Sequence, residues 1–182
     1  MARLVVYPSA GHHDRDPGAV QNGYKEADLT KELRDMMVAE FKKRNPKIII
    51  DKDWETNSQY QRRIKPGYGS VIMDLHFNSS GNPKASGVEV IVNNNASQHS
   101  KDLAKEICYS LSKIMGIPNR GVKTERDTAR GRIGILNLKA GISVLVEVCF
   151  MSNPNDLEAY LNNKEEVAKT LVHYAIKYDD MI

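Results

Sequence analysis

The sequence has few of the features that mark disulfide-rich, exported or membrane-spanning proteins. It contains two cysteines, Cys108 and Cys149, and both lie in apolar patterns that favour buried free thiols over a disulfide framework. No apolar run approaches the roughly 18 residues that would span a membrane. The first residues lack a conventional signal-peptide core and cleavage site. We therefore expect a protein made in a cytoplasm without the usual export route, and with no membrane contact.

Motifs of several common enzyme and binding classes are also missing. The chain has no Walker loop, CxxC pair, HExxH or GxSxG. Its net charge of +3 comes from interspersed acids and bases, and it has a single tryptophan, so a nucleic-acid-binding face is not expected. The composition, 41% apolar and 27% charged, is that of an ordinary globular protein. Without a linker or internal repeat, it predicts one domain over residues 1–182.

Segments with strand and helix patterns alternate along the chain. Apolar strand patterns cover residues 3–8, 47–50, 70–78, 86–93 and 141–150. Helical spacing covers about residues 24–44, 58–64, 100–116, 152–161 and 164–177. This alternation indicates an α/β fold, with a central, mostly parallel twisted sheet of about six strands covered by helices on both faces.

Polar side chains interrupt these patterns at a few places. Glu147 lies in a strand that is apolar on both faces, where a carboxylate is costly unless it is paired or near a metal. His76 lies near the end of its strand, and Glu26 lies on the inward stripe of a helix, in the first turn. His12 and His13 follow the first strand. Neighbouring side chains of an extended segment point apart, so at most one of the two histidines should bind an ion.

Each of these residues has an ordinary explanation when it is taken alone, such as a structural histidine or an acid at a helix N-terminus. Taken together, they meet at one edge of the sheet if the strands are parallel, which is where open α/β sheets place their sites. Two histidines and a carboxylate are a common ligand set for catalytic zinc. A second carboxylate can act as general base. The residue types alone leave open whether Glu26 or Glu147 is the ligand.

The order of several motifs resembles a known family. The segments are AGHHDRDPGAV, the helix-opening Glu26, LHFNSSG, GVEVIV, GIPNRGVK and VLVEVCFMSNPND. Together they resemble the zinc-dependent N-acetylmuramoyl-L-alanine amidases, the catalytic domain of cell-wall-lytic enzymes and phage endolysins, over roughly residues 3–178. The resemblance implies that His12, Glu26 and His76 bind one zinc ion per chain, and that Glu147 is the catalytic carboxylate.

The resemblance also implies the reaction, which is hydrolysis of the amide bond between N-acetylmuramic acid and L-alanine in bacterial peptidoglycan. We expect a monomer that acts on the cell wall and has no separate wall-binding domain. Asn78 and His13 are expected to contact substrate, whereas Asn153 is expected to cap the helix that begins at Pro154. The family usually has glycines where this chain has His13 and Asp14, so His13 is kept as an alternative ligand.

Two other functions compete with this interpretation. A zinc endopeptidase that cuts within the stem peptides would have the same site. A non-catalytic wall-binding module would have lost a ligand or the base, whereas all four positions are filled here. The two other histidines, His99 and His173, lie in polar surroundings and are expected on the surface.

Overall fold

A computed structural model of the protein describes residues 4–182, so Arg3, the first residue of the predicted N-terminal strand, lies outside the described residues. The strands within this range are β1 (Val5–Ala10), β2 (Val20–Gln21), β3 (Tyr24–Lys25), β4 (Lys47–Ile48), β5 (Val71–Asn78), β6 (Val88–Val92), β7 (Asn119–Thr124) and β8 (Ile142–Phe150). The helices are α1 (Glu26–Lys42), α2 (Asn57–Arg63), α3 (Gln98–Met115) and α4 (Pro154–Asp179).

Six of the strands form one sheet in the order β4-β1-β5-β8-β6-β7, and β2 and β3 form a separate hairpin. The first four strands of that order are parallel, β6 is antiparallel to β8, and β7 is parallel to β6. The predicted α/β fold with a mostly parallel central sheet is therefore confirmed. Because β6 and β7 are reversed, they begin at the edge where β1, β5 and β8 end.

Helices cover both faces of the sheet, as predicted, but unequally. One face packs against α1, α3 and α4 through alternate strand residues such as Val6, Met73, Val90 and Val144. The other face carries a smaller apolar cluster, to which α2 and the segment 133–136 contribute. That cluster consists of Tyr7, Tyr60, Ile64, Ile72, Ile91, Ile133, Ile135, Leu136 and Leu145. The thinner cover of this second face leaves room for polar side chains near the carboxyl ends of β5 and β8.

The structure differs from the sequence prediction at several elements. The hairpin of β2 and β3 was not predicted, and β3 occupies Tyr24–Lys25, where the first helix was expected to begin. The last two predicted helices are one helix, α4, which continues through Asn162 and Asn163. The Asn163 side-chain amide donates to the Ala159 carbonyl at 2.8 Å. Strand β7 was not predicted, since its sequence NRGVKT is polar and only partly buried. None of the helices in the described range combines the length and apolar character that a membrane span requires.

A buried arginine anchors the loop that follows β1. Arg34 is 3% exposed and donates to Asp51 and to Asp53, each at 2.8 Å. Asp51 in turn accepts the Ala10 amide at 3.1 Å, and the Asp53 carbonyl accepts the Asp14 amide at 2.7 Å. The chain between β4 and α2 is thereby tied to the loop that carries the paired histidines.

We expect Arg34→Ala to lower the free energy of unfolding by about 3–5 kcal/mol, because it leaves the buried Asp51 carboxylate without its cation. The exposed Arg62 on α2 is the matched control, and Arg62→Ala should change the free energy by less than about 0.5 kcal/mol. Urea denaturation followed by circular dichroism measures both. Equal effects of the two substitutions would contradict this role for Arg34.

Candidate active site

Three of the four predicted site residues converge at the edge of the sheet where β1 and β5 end. His12 lies just after β1, Glu26 is the first residue of α1, and His76 is near the end of β5. His12 Nε2 is 3.1 Å from Glu26 Oε2, and His76 Nδ1 is 3.1 Å from Glu26 Oε1. One potential ligand atom from each residue lies within 4.8 Å of the others. All three residues are buried.

The backbone holds the Glu26 carboxylate in place. Its Oε1 accepts the Phe77 amide and its Oε2 accepts the Ala19 amide, each at 3.0 Å. Burial by itself would raise the pKa of Glu26, but the hydrogen bonds and charges of His12 and His76 outweigh it and hold the pKa below its ordinary value. Glu26 is therefore an ionised carboxylate set between two imidazoles.

In each of the two histidines, the ring nitrogen that does not face Glu26 contacts another carboxylate. His12 Nδ1 lies 2.9 Å from Asp16, and His76 Nε2 lies 3.2 Å from Asp74. The Ser9 hydroxyl donates to Asp74 at 2.6 Å. Metal-binding histidines commonly donate their second ring N–H to a carboxylate, which fixes the tautomer and the ring orientation. Both rings thus present their remaining nitrogen toward Glu26.

Sequence reasoning missed these two supporting carboxylates. Neither Asp16 nor Asp74 was given a supporting role from the sequence. The signal was present, since Asp74 shares a strand face with His76 and Asp16 lies four residues after His12.

Two glycines allow the cluster to pack closely. A Cβ atom at Gly11 would lie 2.1 Å from His76 Nε2. At Gly18, where φ is +62°, a Cβ atom would lie 2.6 Å from Glu26 Oε2 and 2.8 Å from His12 Nε2. Any larger residue would displace a ring or the carboxylate, so the loop after β1 depends on these glycines.

Glu147 lies on β8, directly beside His76 in the parallel register, and its side chain belongs to the same face. Its Oε2 atom is buried and accepts no hydrogen bond from the described residues. Burial, together with the negative charges of Glu26 and Glu89, raises the pKa of Glu147 to about 7 against the opposing charge of His76. A carboxylate with a pKa near neutrality can take up and release protons.

The loop after β1 separates the two adjacent histidines. His13 is half-buried and outside the cluster, and its Nδ1 lies 3.4 Å from the Arg15 amide. Asp14 forms an ion pair with Lys31 at 3.0 Å. The arrangement therefore favours His12 over His13 as the ligand, and a substrate contact of His13 stays a prediction.

The other residues singled out in the sequence have local roles or lie on the surface. The Asn78 amide donates to Glu89 at 2.9 Å, and its predicted substrate contact stays a prediction. Asn153 caps α4, with its Oδ1 accepting the Asn155 amide at 3.0 Å. His99 and His173 are exposed, as expected. The cysteines, Cys108 and Cys149, are free and buried, also as expected.

Comparisons with known proteins point to one family. The sequence profile of the N-acetylmuramoyl-L-alanine amidase family matches residues 6–177. A putative N-acetylmuramoyl-L-alanine amidase of Buchnera aphidicola is 28% identical over an alignment of 192 positions, which covers 88% of this chain and 88% of that protein. The N-acetylmuramoyl-L-alanine amidase LytC of Bacillus subtilis is 23% identical over 156 residues, which cover 84% of this chain and 30% of that protein.

Among solved structures, the fold is similar to the crystal structure of an N-acetylmuramoyl-L-alanine amidase from Clostridium difficile 630. The TM-score is 0.77 at 18% identity, and the match covers 98% of this chain and 97% of that one.

Proposed function

Because this chain belongs to the N-acetylmuramoyl-L-alanine amidase family, we propose that it uses one zinc ion to hydrolyse the amide bond between N-acetylmuramic acid and L-alanine in bacterial peptidoglycan. The observation that carries this proposal is the cluster of His12, Glu26 and His76, which lies beside Glu147. Among the described residues, no hydrogen bond reaches the buried Oε2 atom of Glu147. We further propose that residues 1–182 act as one catalytic domain, as a monomer, in lysis of the cell wall.

The residues present fit a zinc ion. Two histidines and a glutamate are a set found at catalytic zinc sites, where a fourth position stays open. One potential ligand atom from each of the three residues lies within 4.8 Å of the others, so the three side chains are close enough to hold one ion. When bound, zinc supplies a Lewis acid for the amide carbonyl and lowers the pKa of a water molecule.

Glu147 is the proton carrier of the proposed reaction. Its carboxylate accepts a proton from the water that attacks the amide carbonyl and then delivers it to the departing alanine nitrogen. No hydrogen bond from the described residues competes for its Oε2 atom. Asp16 and Asp74 keep the two imidazoles in the tautomers that direct His12 Nε2 and His76 Nδ1 toward Glu26.

Asp74→Asn should lower the zinc affinity by about 10- to 100-fold while leaving the protein folded. The asparagine amide can donate to His76 Nε2, which favours the ring tautomer whose proton blocks Nδ1. Competition with a chromophoric chelator measures the affinity. The matched control is Asp14→Asn, since Asp14 pairs only with a lysine on the surface among the described residues. Equal affinities for the two variants would contradict the role given to Asp74.

Digestion of purified peptidoglycan with and without chelator tests the proposed reaction. Mass spectrometry of the products should give intact stem peptides that begin with L-alanine, and chelator should prevent their release. New ends within the peptides would indicate an endopeptidase instead. The absence of cleavage with zinc present would favour a wall-binding module, and cleavage that persists in chelator would refute zinc dependence.

A further inference from the structure

The polar residues of the candidate site belong to a row that crosses the sheet. In the strand register His76 pairs with Glu147, Glu147 pairs with Glu89, and Glu89 pairs with Gly121. The row thus runs over β5, β8, β6 and β7 at the edge where the zinc-ligand candidates lie. A Cβ atom at Gly121 would have no neighbour within 4 Å, so the β7 end of the row is open.

Glu89 occupies the middle of this row and fixes two side chains. Its Oε1 accepts a hydrogen bond from Asn78 Nδ2 at 2.9 Å, and its Oε2 accepts one from Arg120 Nε at 2.7 Å. Both carboxylate oxygens are therefore engaged, and the charge of Glu89 is balanced by Arg120. Neither the zinc cluster nor the proton transfer uses these residues.

Arg120 is held at its stem while part of its guanidinium stays accessible. Its side chain is 39% exposed, and the guanidinium carbon lies 4.8 Å from the centre of the Phe150 ring. Gly87 makes room for the stem, since a Cβ there would lie 2.9 Å from Arg120 Cγ. Within residues 4–182, Nε donates to Glu89, Nη1 lies 3.5 Å from the Ser86 carbonyl, and Nη2 has no hydrogen-bond acceptor. An oriented arginine with unused donors matches a carboxylate ligand.

We propose that Arg120, held in place by Glu89, binds a carboxylate in the peptide part of the substrate. The stem peptide then extends from the zinc cluster across β8 and β6 toward β7. This inference rests on the proposed function. The carboxyl group of N-acetylmuramic acid is consumed in the scissile amide, so a free carboxylate near this bond can come only from the peptide.

The dimensions suit the second residue of the stem peptide, a glutamate linked through its side chain. Neighbouring strands are about 4.8 Å apart, which places β7 about 10 Å from Glu147 on β8. The free α-carboxylate of the second residue lies about 6 Å beyond the scissile nitrogen. The Arg120 side chain extends from β7 to Glu89 on β6, which brings its guanidinium closer to Glu147 than the β7 backbone is.

Two soluble muropeptides test the proposal, one with a free α-carboxylate on the second residue and one in which that group is a carboxamide. We expect wild-type kcat/KM to be about 10- to 100-fold higher for the carboxylate form, as for a charge-assisted hydrogen bond. Arg120→Ala should remove this preference, so that kcat/KM becomes equal for the two forms. Arg120→Lys should retain part of the preference. Arg126→Ala is the matched control, because Arg126 lies just past the opposite end of β7 and is exposed.

A loss of activity that is equal for the two muropeptides would overturn the proposal, because it would mean that Arg120 acts only through Glu89 on the catalytic groups. A wild-type enzyme without preference would overturn it as well. Calorimetry of free stem peptides binding to the zinc-loaded protein distinguishes failure of the Arg120 proposal from failure of the proposed function. If neither muropeptide is cleaved, tighter binding of the carboxylate peptide that is lost in Arg120→Ala supports the proposal, and equal binding refutes it.

Discussion

Glu147→Gln is expected to lower the rate of peptidoglycan hydrolysis by about 10²- to 10⁴-fold and to leave zinc binding intact. Glutamine keeps the size of the side chain, but its amide cannot take up the proton that the carboxylate would accept. Glu147 belongs to β8, beside the cluster and not within it, so the donors of the zinc site are unchanged. Release of stem peptides measures the rate, and elemental analysis of dialysed protein measures the zinc.

The pH dependence gives this prediction a second measurement. Glu147 must be ionised to accept a proton, so wild-type activity should rise with increasing pH. Burial raises the pKa of Glu147 to about 7 without a bound cation, and a nearby cation lowers the pKa of a carboxyl group, so the rise should be centred at or below that value. The residual activity of Glu147→Gln should not show this rise. The control is Glu158→Gln, at an exposed residue of α4, and near-wild-type hydrolysis by Glu147→Gln would refute the assignment.

Positions at the ends of strands and in the first turn of a helix could be predicted because they depend on local sequence patterns. The strand that ends near His76 is long and apolar on one face, and the helix that opens at Glu26 has regular apolar spacing. Both patterns fix the direction of the side chain. The parallel arrangement then followed from the alternation of strands and helices.

The wider site depends on pairings between distant segments and could not be read from local patterns. Glu89 becomes the neighbour of Glu147 only because β6 runs antiparallel to β8, a direction that the sequence of β6 does not encode. Arg120 reaches Glu89 from β7, a polar edge strand with no apolar alternation. The face that carries the site is likewise decided by which helices pack on the other side.

His76→Ala is expected to abolish both zinc binding and hydrolysis. It removes one of the three donor atoms and leaves Asp74 and Glu26 without their shared imidazole. We expect the zinc affinity to fall by more than the roughly 10- to 100-fold that follows loss of a supporting carboxylate. Zinc at about 100 times its dissociation constant should stabilise the wild-type protein by about 2.7 kcal/mol, and it should not stabilise the variant. His173→Ala, at an exposed histidine of α4, should behave as wild type.

Thermal unfolding with and without zinc distinguishes the two kinds of residue in the site. Glu147→Gln should keep the zinc-dependent rise in unfolding temperature although it is inactive, because its defect lies in proton transfer. His76→Ala should lose the zinc-dependent rise in unfolding temperature as well as activity, because its defect lies in assembling the metal site. His76→Gln can still form a hydrogen bond with Asp74 and serves as the variant of choice if His76→Ala fails to fold. Full zinc-dependent stabilisation in either His76 variant would mean that the metal binds elsewhere, and the cluster of His12, Glu26 and His76 would then need another role.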